Sequence, residues 1–358
     1  MGSNSFAAMK IAQSTSTYLN ALRGVSASAV VLYHFRDKNF GPEWLTDWFP
    51  SNGRDWVIVF FVMSGFVVSM LAEQKSAAEF ARDRATRIYL VALPVLLLSF
   101  LLSIFFPSMG PPEYAQALDA PLLTYGLNAV FLSQSWSFAF LPFLDGPYWS
   151  LSYEVMYYLI FGLAFYSAVP VRAVMTAAAI LLAGPKVMAL FPCWLAGMAA
   201  YKMRDSKPIP ATVAWLVWAG APLVLILLFN AGLKDFADSF GYFNGTMSVG
   251  YFQSWLVAAA VAVHIWAACQ IDFHFPAILT EAANKLAGMS FSLYLLHLPV
   301  LYILGSIASD RNSLGFFLIA LPFVFFSSYF FSLVTERNRK NVASAIKALT
   351  ARRKILAR

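Results

Sequence analysis

An arginine and a histidine stand eleven residues apart in an otherwise apolar stretch, residues 18–35, near the start of the chain. At about 100° per residue, eleven steps return to within roughly 20° of the start and climb roughly 16 Å. Arg23 and His34 therefore lie on one stripe of one helix, separated by about half the hydrocarbon thickness of a bilayer. An arginine in hydrocarbon costs at least about 2.5 kcal/mol, so it faces a polar interior rather than lipid. A histidine near neutrality is the usual general base for a hydroxyl. The run Trp149-Ser150-Leu151-Ser152-Tyr153-Glu154 opens a later apolar stretch and supplies a carboxylate. Placed beside His34, Glu154 would fix the imidazole tautomer and stabilise the imidazolium, and Ser150, four residues before it, shares its face. The plainer alternative makes Glu154 a structural partner of Arg23 or of another helix.

Three further groups carry polar chemistry. Arg84 and Arg87 are three apart and point from one helical face. Paired arginines suit phosphate, although by spacing alone they read first as a solvated cytoplasmic charge cluster. Ser64-Gly65 offers a small surface among aromatics, suited either to close helix packing or to a substrate groove. Tyr294 and His297 fall in a late apolar stretch, where His297 either donates to a carbonyl one turn back or lines a cavity. His264 reads as packing and His274 as loop. The four histidines have no ligand spacing, and Cys193 and Cys269 sit in apolar runs, so no metal and no disulfide is expected.

The elements that must position these residues follow from composition. The chain has 358 residues, 60% hydrophobic and 12% charged, with a mean hydropathy of +0.66. Soluble globules carry about 25% charged residues, so this is an all-α, polytopic membrane bundle. Helix-forming apolar stretches lie near residues 18–35, 56–72, 88–107, 149–168, 170–184, 187–201, 211–229, 251–269, 288–305 and 314–334, about ten spans. Gly184-Pro185-Lys186 separates the two shortest. Residues 122–133 are too short to cross and read as re-entrant or interfacial. With the N-terminus in the cytoplasm, eighteen basic residues fall inside and six outside, with Arg23 within a helix. That bias places both termini inside. It also gives the net charge of +7 to membrane lipids rather than to nucleic acid. The first sixteen residues lack an apolar core, so no cleaved signal is expected. The domain reading is a membrane domain over residues 1–335 and a basic cytoplasmic tail over 336–358.

Taken in order, these motifs resemble the acyltransferase-3 family of integral membrane O-acyltransferases, which modify bacterial surface and secreted glycans. Leu22-Arg23-Gly24 with His34-Phe35 resembles the family's Arg-x10-His signature. Phe60-Phe61-Val62-Met63-Ser64-Gly65-Phe66 is similar to its aromatic-Ser-Gly-aromatic motif, and Arg84-x-x-Arg87-Ile88-Tyr89 to its cytoplasmic Arg-x-x-Arg. Trp149-Ser150-Leu151-Ser152-Tyr153-Glu154 and Ser292-Leu293-Tyr294-Leu295-Leu296-His297 resemble two later segments. The closing Glu336-Arg337-Asn338 departs from a Glu-x-Pro stretch in lacking the proline.

The resemblance implies a multi-pass protein of the cell inner membrane with no appended hydrolase-like domain. It would take an acyl group, most simply acetyl with succinyl as the main competitor, from cytoplasmic acyl-CoA. Arg84 and Arg87 would meet the donor's phosphates, and Ser64, Trp149, Ser150, Ser152, Tyr294 and His297 would line the path of its pantetheine. His34, with Glu154 and Arg23, would serve a carbohydrate hydroxyl of a surface or secreted glycan or a lipo-oligosaccharide. His34 acts there either as base or as acyl carrier. A permease for a polar or glycan-related solute is the rival, since transporters also place charges inside such bundles. No two repeated halves with interrupted helices are visible in the sequence, which weighs against it.

Overall fold

The computed structural model describes residues 13–204, 208–228, 251–339 and 341–347. The N-terminal twelve residues, Lys207, the loop containing Lys234, the end of the stretch at 211–229 and most of the basic tail lie outside the described residues. Among the described residues the structure is helical and contains no strand. The principal helices are α1 (Gln13–Asp37), α2 (Gly53–Ala72), α3 (Ala77–Phe105), α4 (Pro121–Ala129), α5 (Trp149–Tyr166), α6 (Val169–Met188), α7 (Phe191–Met203), α8 (Ala211–Leu228), α9 (Tyr251–Ala268), α10 (Ala277–Ala287), α11 (Ser290–Ile307) and α12 (Leu314–Val334). Each of the ten apolar stretches forms a helix. Among the described residues six helices, namely α2, α3, α6, α9, α11 and α12, are long and apolar enough to cross a membrane by length and composition. The weakly apolar stretch at 122–133 yields α4, whose nine residues span only about 14 Å.

The Gly184-Pro185 signal appears as a kink rather than a turn. Gly184 has φ 77 inside α6, a left-handed conformation natural to glycine. A side chain there would also press on the backbone of Trp136, whose N–H donates to the Ala183 carbonyl. The turn between the two stretches comes later, before Phe191.

The chain divides into two compact units. The first comprises residues 1–26, 54–77 and 188–286. Within it α8 packs on α9 and α9 on α7, while α2 meets α7 through glycine. A Cβ at Gly65 would overlap the Trp194 carbonyl, and one at Gly197 would overlap the Val62 carbonyl. Small residues thus let two backbones approach, the usual route to helix association where lipid removes the hydrophobic drive. Trp194 Nε1 donates to Ser64 Oγ across that seam at 3.2 Å. The same unit holds an aromatic group in which Tyr18 stacks on Phe273 with ring centroids 4.9 Å apart.

The second unit comprises residues 27–53, 78–187 and 287–358. Here α11 packs on α12, and α11 is buried along nearly its whole length from Ser290 to Tyr302. α1 runs without interruption through the boundary, so Arg23 belongs to the first unit and His34 to the second.

Candidate active site

The second unit gathers two polar clusters. The first is a pair of histidines from helices far apart in sequence. His34 Nδ1 lies 3.0 Å from the Val30 carbonyl, one turn back on α1. It also lies 3.0 Å from His297 Nε2 on α11. His297 Nδ1 lies 2.9 Å from the Leu293 carbonyl. A carbonyl oxygen only accepts, so each Nδ1 must carry a proton. In the neutral pair, His297 Nε2 is then a lone pair that accepts from His34 Nδ1–H, which is shared with Val30. His34 Nε2 is left as a lone pair, and no described residue hydrogen-bonds it. His297 is fully buried, whereas His34 is partly exposed.

Around this pair α5 and α11 are tied together. Ser150 Oγ lies 2.9 Å from Tyr294 Oη, and each hydroxyl reaches the Pro147 carbonyl, at 3.2 and 3.0 Å. The Tyr294 ring stands 6.4 Å from that of His297. Ser152 Oγ pairs with Ser133 Oγ at 3.0 Å, and Trp149 sits edge-on to Tyr153. The hydroxyl of Ser150 is thus directed at Pro147 and Tyr294 rather than at Glu154.

The second cluster is cationic. Arg84 and Arg87 lie one turn apart on α3. The Arg84 guanidinium stands over the Tyr158 ring, 5.5 Å from its centroid. Its Nε is buried with no hydrogen-bond partner among the described residues. Arg87 lies close enough to Tyr158, Glu154 and Glu336 to feel their charges. Tyr158 in turn donates to Glu154, four residues earlier on α5. The carboxylate expected beside His34 is therefore engaged by Tyr158 in the field of Arg87, and it is not among the hydrogen-bond partners of His34. The imidazole tautomer is set by Val30 and His297 instead.

Glu336 completes this cluster. It follows α12, and its carboxylate accepts from the backbone N–H of Phe291 at 3.3 Å and of Ser292 at 3.0 Å. A carboxylate at a helix N-terminus meets the first unpaired donors and the positive end of the dipole. Burial nevertheless pushes its carboxyl above the usual range, opposed by those N–H groups and by Arg87. Arg339, three residues on, has its guanidinium pulled below its ordinary range by burial and by the nearby charges of Arg87 and Arg84.

Tyr158, Glu336 as a helix cap and Arg339 were missed by reading motifs. Tyr158 stands four residues after Glu154, a spacing that signals the contact. Glu336 offered only its departure from the Glu-x-Pro stretch. Of the other expected site residues, Ser64 serves the α2–α7 seam as the acceptor for Trp194. Arg23 is partly buried on the first unit's half of α1. Among the described residues no group of acidic, histidine and cysteine side chains is placed to hold a metal ion.

Residues 16–335 match the model of the acyltransferase-3 family, described as an acyltransferase domain. No curated protein and no solved structure matches the chain.

Proposed function

The chain belongs to the acyltransferase-3 family of membrane acyltransferases, and from that membership we propose that it transfers an acetyl group from cytoplasmic acetyl-CoA to a carbohydrate hydroxyl outside the inner membrane. The observation that carries the reading is the imidazole nitrogen of His34 that no described residue hydrogen-bonds, beside a fixed neighbour. His34 Nε2 removes the proton from the acceptor hydroxyl as that oxygen attacks the thioester carbonyl. The tetrahedral intermediate collapses, the C–S bond breaks, and the CoA thiolate leaves. The proton held on His34 passes to that sulfur, and the neutral base is restored.

While His34 is an imidazolium, its Nδ1–H remains shared between the Val30 carbonyl and His297 Nε2. Both acceptors gain strength as the donor gains charge, since charge-assisted hydrogen bonds are roughly twice as strong as neutral ones. That interaction exists fully only during reaction, which is the condition for lowering a barrier. Arg84 and Arg87 hold the donor's phosphates, and Tyr158 and Glu154 keep Arg87 oriented. The buried, unpartnered Nε of Arg84 supports that assignment, because such a donor costs about 1–3 kcal/mol when left unmatched.

The test is acyl transfer by purified protein in proteoliposomes, with radiolabelled acetyl-CoA on the cytoplasmic face and a glycan acceptor opposite. Label should appear on the acceptor with wild type and not with the His34→Ala variant. Movement of solute with the donor left intact would identify a permease instead. Label retained on the acceptor by a well-folded His34→Ala protein would remove the histidine from the chemistry.

A further inference from the structure

The loop between α4 and α5 holds an ammonium with no carboxylate to balance it. Residues 133–140 fold back on themselves: the Phe140 N–H donates to the Ser133 carbonyl at 3.1 Å and the Phe138 N–H to the Ser135 carbonyl at 3.0 Å. Asn128 of α4 pins the returning segment by donating to the Phe140 carbonyl at 3.1 Å. Lys186, near the end of α6, reaches into this loop. Its Nζ donates to Gln134 Oε1 at 2.7 Å and to the Phe138 carbonyl at 2.6 Å. Both acceptors are neutral, and among the described residues no carboxylate pairs with Lys186. An ammonium has three donors, so one remains to be used. Nothing in this set of contacts offsets its charge.

Gln134 gives its amide oxygen to Lys186, and Nε2 of the same amide is buried without a partner. The residue is only 4% exposed. Ser135 Oγ, the next side chain along, is likewise buried and unpartnered. Trp136 follows, 50% exposed and in a left-handed conformation with φ 55, which a bulky residue adopts only where its surroundings fix it. Its Cγ lies 2.9 Å from where a Cβ on Gly184 would stand. The indole thus sits against the kink that precedes Lys186. A fixed cation, unmatched polar groups and an open aromatic ring suit a ligand that joins an anion to an apolar ring face.

An acidic sugar has that form, a carboxylate on a ring whose C–H face stacks on indole. The loop is also placed for an acceptor. Ser133 Oγ pairs with Ser152 Oγ at 3.0 Å, which fastens the loop to the first turn of α5, beside Ser150 and its contact with Tyr294 on the helix of His297. We infer that Lys186 binds the carboxylate of an acidic sugar in the carbohydrate acceptor, with Gln134 positioning the ammonium and Trp136 carrying the sugar ring. The protein then selects anionic over neutral glycans. This rests on the donor and acceptor reading above.

The experiment uses calorimetry on full-length protein in phosphatidylcholine nanodiscs. The probes are a glucuronate-containing tetrasaccharide, the same tetrasaccharide with that carboxyl reduced to give glucose, and CoA. The proteins compared are wild type, Lys186→Gln, Lys186→Arg and Arg172→Gln. Arg172 is an exposed arginine bonded to the Ser167 carbonyl and controls for bulk charge. Wild type should prefer the glucuronate form by about tenfold or more, the value of one charge-assisted contact. Lys186→Gln should erase that preference with CoA affinity unchanged, while Lys186→Arg and Arg172→Gln should keep it. The inference is overturned if wild type does not discriminate, if Lys186→Gln keeps the preference, or if Lys186→Arg or Arg172→Gln loses it. Loss of affinity for both sugars and CoA together in Lys186→Gln would make the lysine a structural residue and overturn it as well. If phosphatidylglycerol in the nanodisc abolishes the preference, Lys186 serves a lipid phosphate and the inference falls. Wild type that binds CoA yet ignores the carboxylate loses this inference alone. Wild type that binds no CoA loses the donor reading, and this inference with it.

Discussion

Two histidines in apolar helices, one in each unit, differ in how fully their ring nitrogens are engaged. In the first unit, His264 Nδ1 lies 2.6 Å from the Trp218 carbonyl, so it is the donor there, and Nε2 accepts from the Tyr18 hydroxyl. Tyr18 itself accepts from Trp218 Nε1 at 3.1 Å. Every strong group in that cluster meets another, and the imidazole has no lone pair left to offer. In the second unit, His34 uses Nδ1 twice and leaves Nε2 without a described partner. Partial exposure and aromatic neighbours are common to both. What differs is the unused hydrogen-bonding capacity, which a buried polar group keeps only at a cost in stability.

His34→Ala should lower turnover by about a hundredfold to ten-thousandfold, the usual range for a lost general base. His264→Phe should leave turnover within about threefold and instead lower the thermal midpoint, because it removes hydrogen bonds that only hold structure. Acyl-transfer rates and scanning calorimetry on the two variants decide this, and equal losses of activity would erase the distinction. Next, Arg84→Gln combined with Arg87→Gln should weaken CoA binding by roughly a hundredfold or more, at about 1.5–3 kcal/mol for each charge-assisted bond. Truncated acyl-pantetheine without the phosphates should bind variant and wild type alike, and an unchanged CoA dissociation constant would return the pair to a topology signal.

Smaller effects sharpen the picture. His297→Ala should reduce kcat by about tenfold with little change in donor KM, since one hydrogen bond to the imidazolium is worth on the order of 1.5 kcal/mol. A KM effect alone would make His297 a binding residue. Smallest, Glu154→Gln should raise donor KM a few-fold and spare kcat, because its carboxylate sits with Tyr158 and Arg87 rather than with His34. Steady-state kinetics showing the reverse would restore it to the imidazole.

The helices were legible because hydropathy and length carry that information locally, and residues 122–133 were separable on length alone. Faces were legible too. Arg84 and Arg87 do share one, and Glu154 meets a partner one turn away. Sequence spacing could not reveal which helix turns which face to which neighbour. His34 meets His297 across 263 positions, and Glu336 binds Ser292 across 44. Both contacts are decided by packing between helices, so the carboxylate nearest in motif order was the natural but misplaced candidate for partner of His34. The Ser-Gly signal of α2 admitted two readings, and the overlap that a side chain at Gly65 would suffer gives that surface to helix packing.

The cap on α11 has a consequence for how the protein is made. Glu336 lies beyond the last apolar helix, and without it the first N–H groups of the helix bearing His297 lack their carboxylate. His34 is made with α1 and waits for a partner 263 residues later. At ribosomal rates of roughly 5–20 residues per second, that wait is about 13–50 s. A nascent chain halted anywhere before Glu336 therefore carries His34 without the carboxylate cap on the helix that bears His297. The cap thus forms only after both histidine-bearing helices have been made.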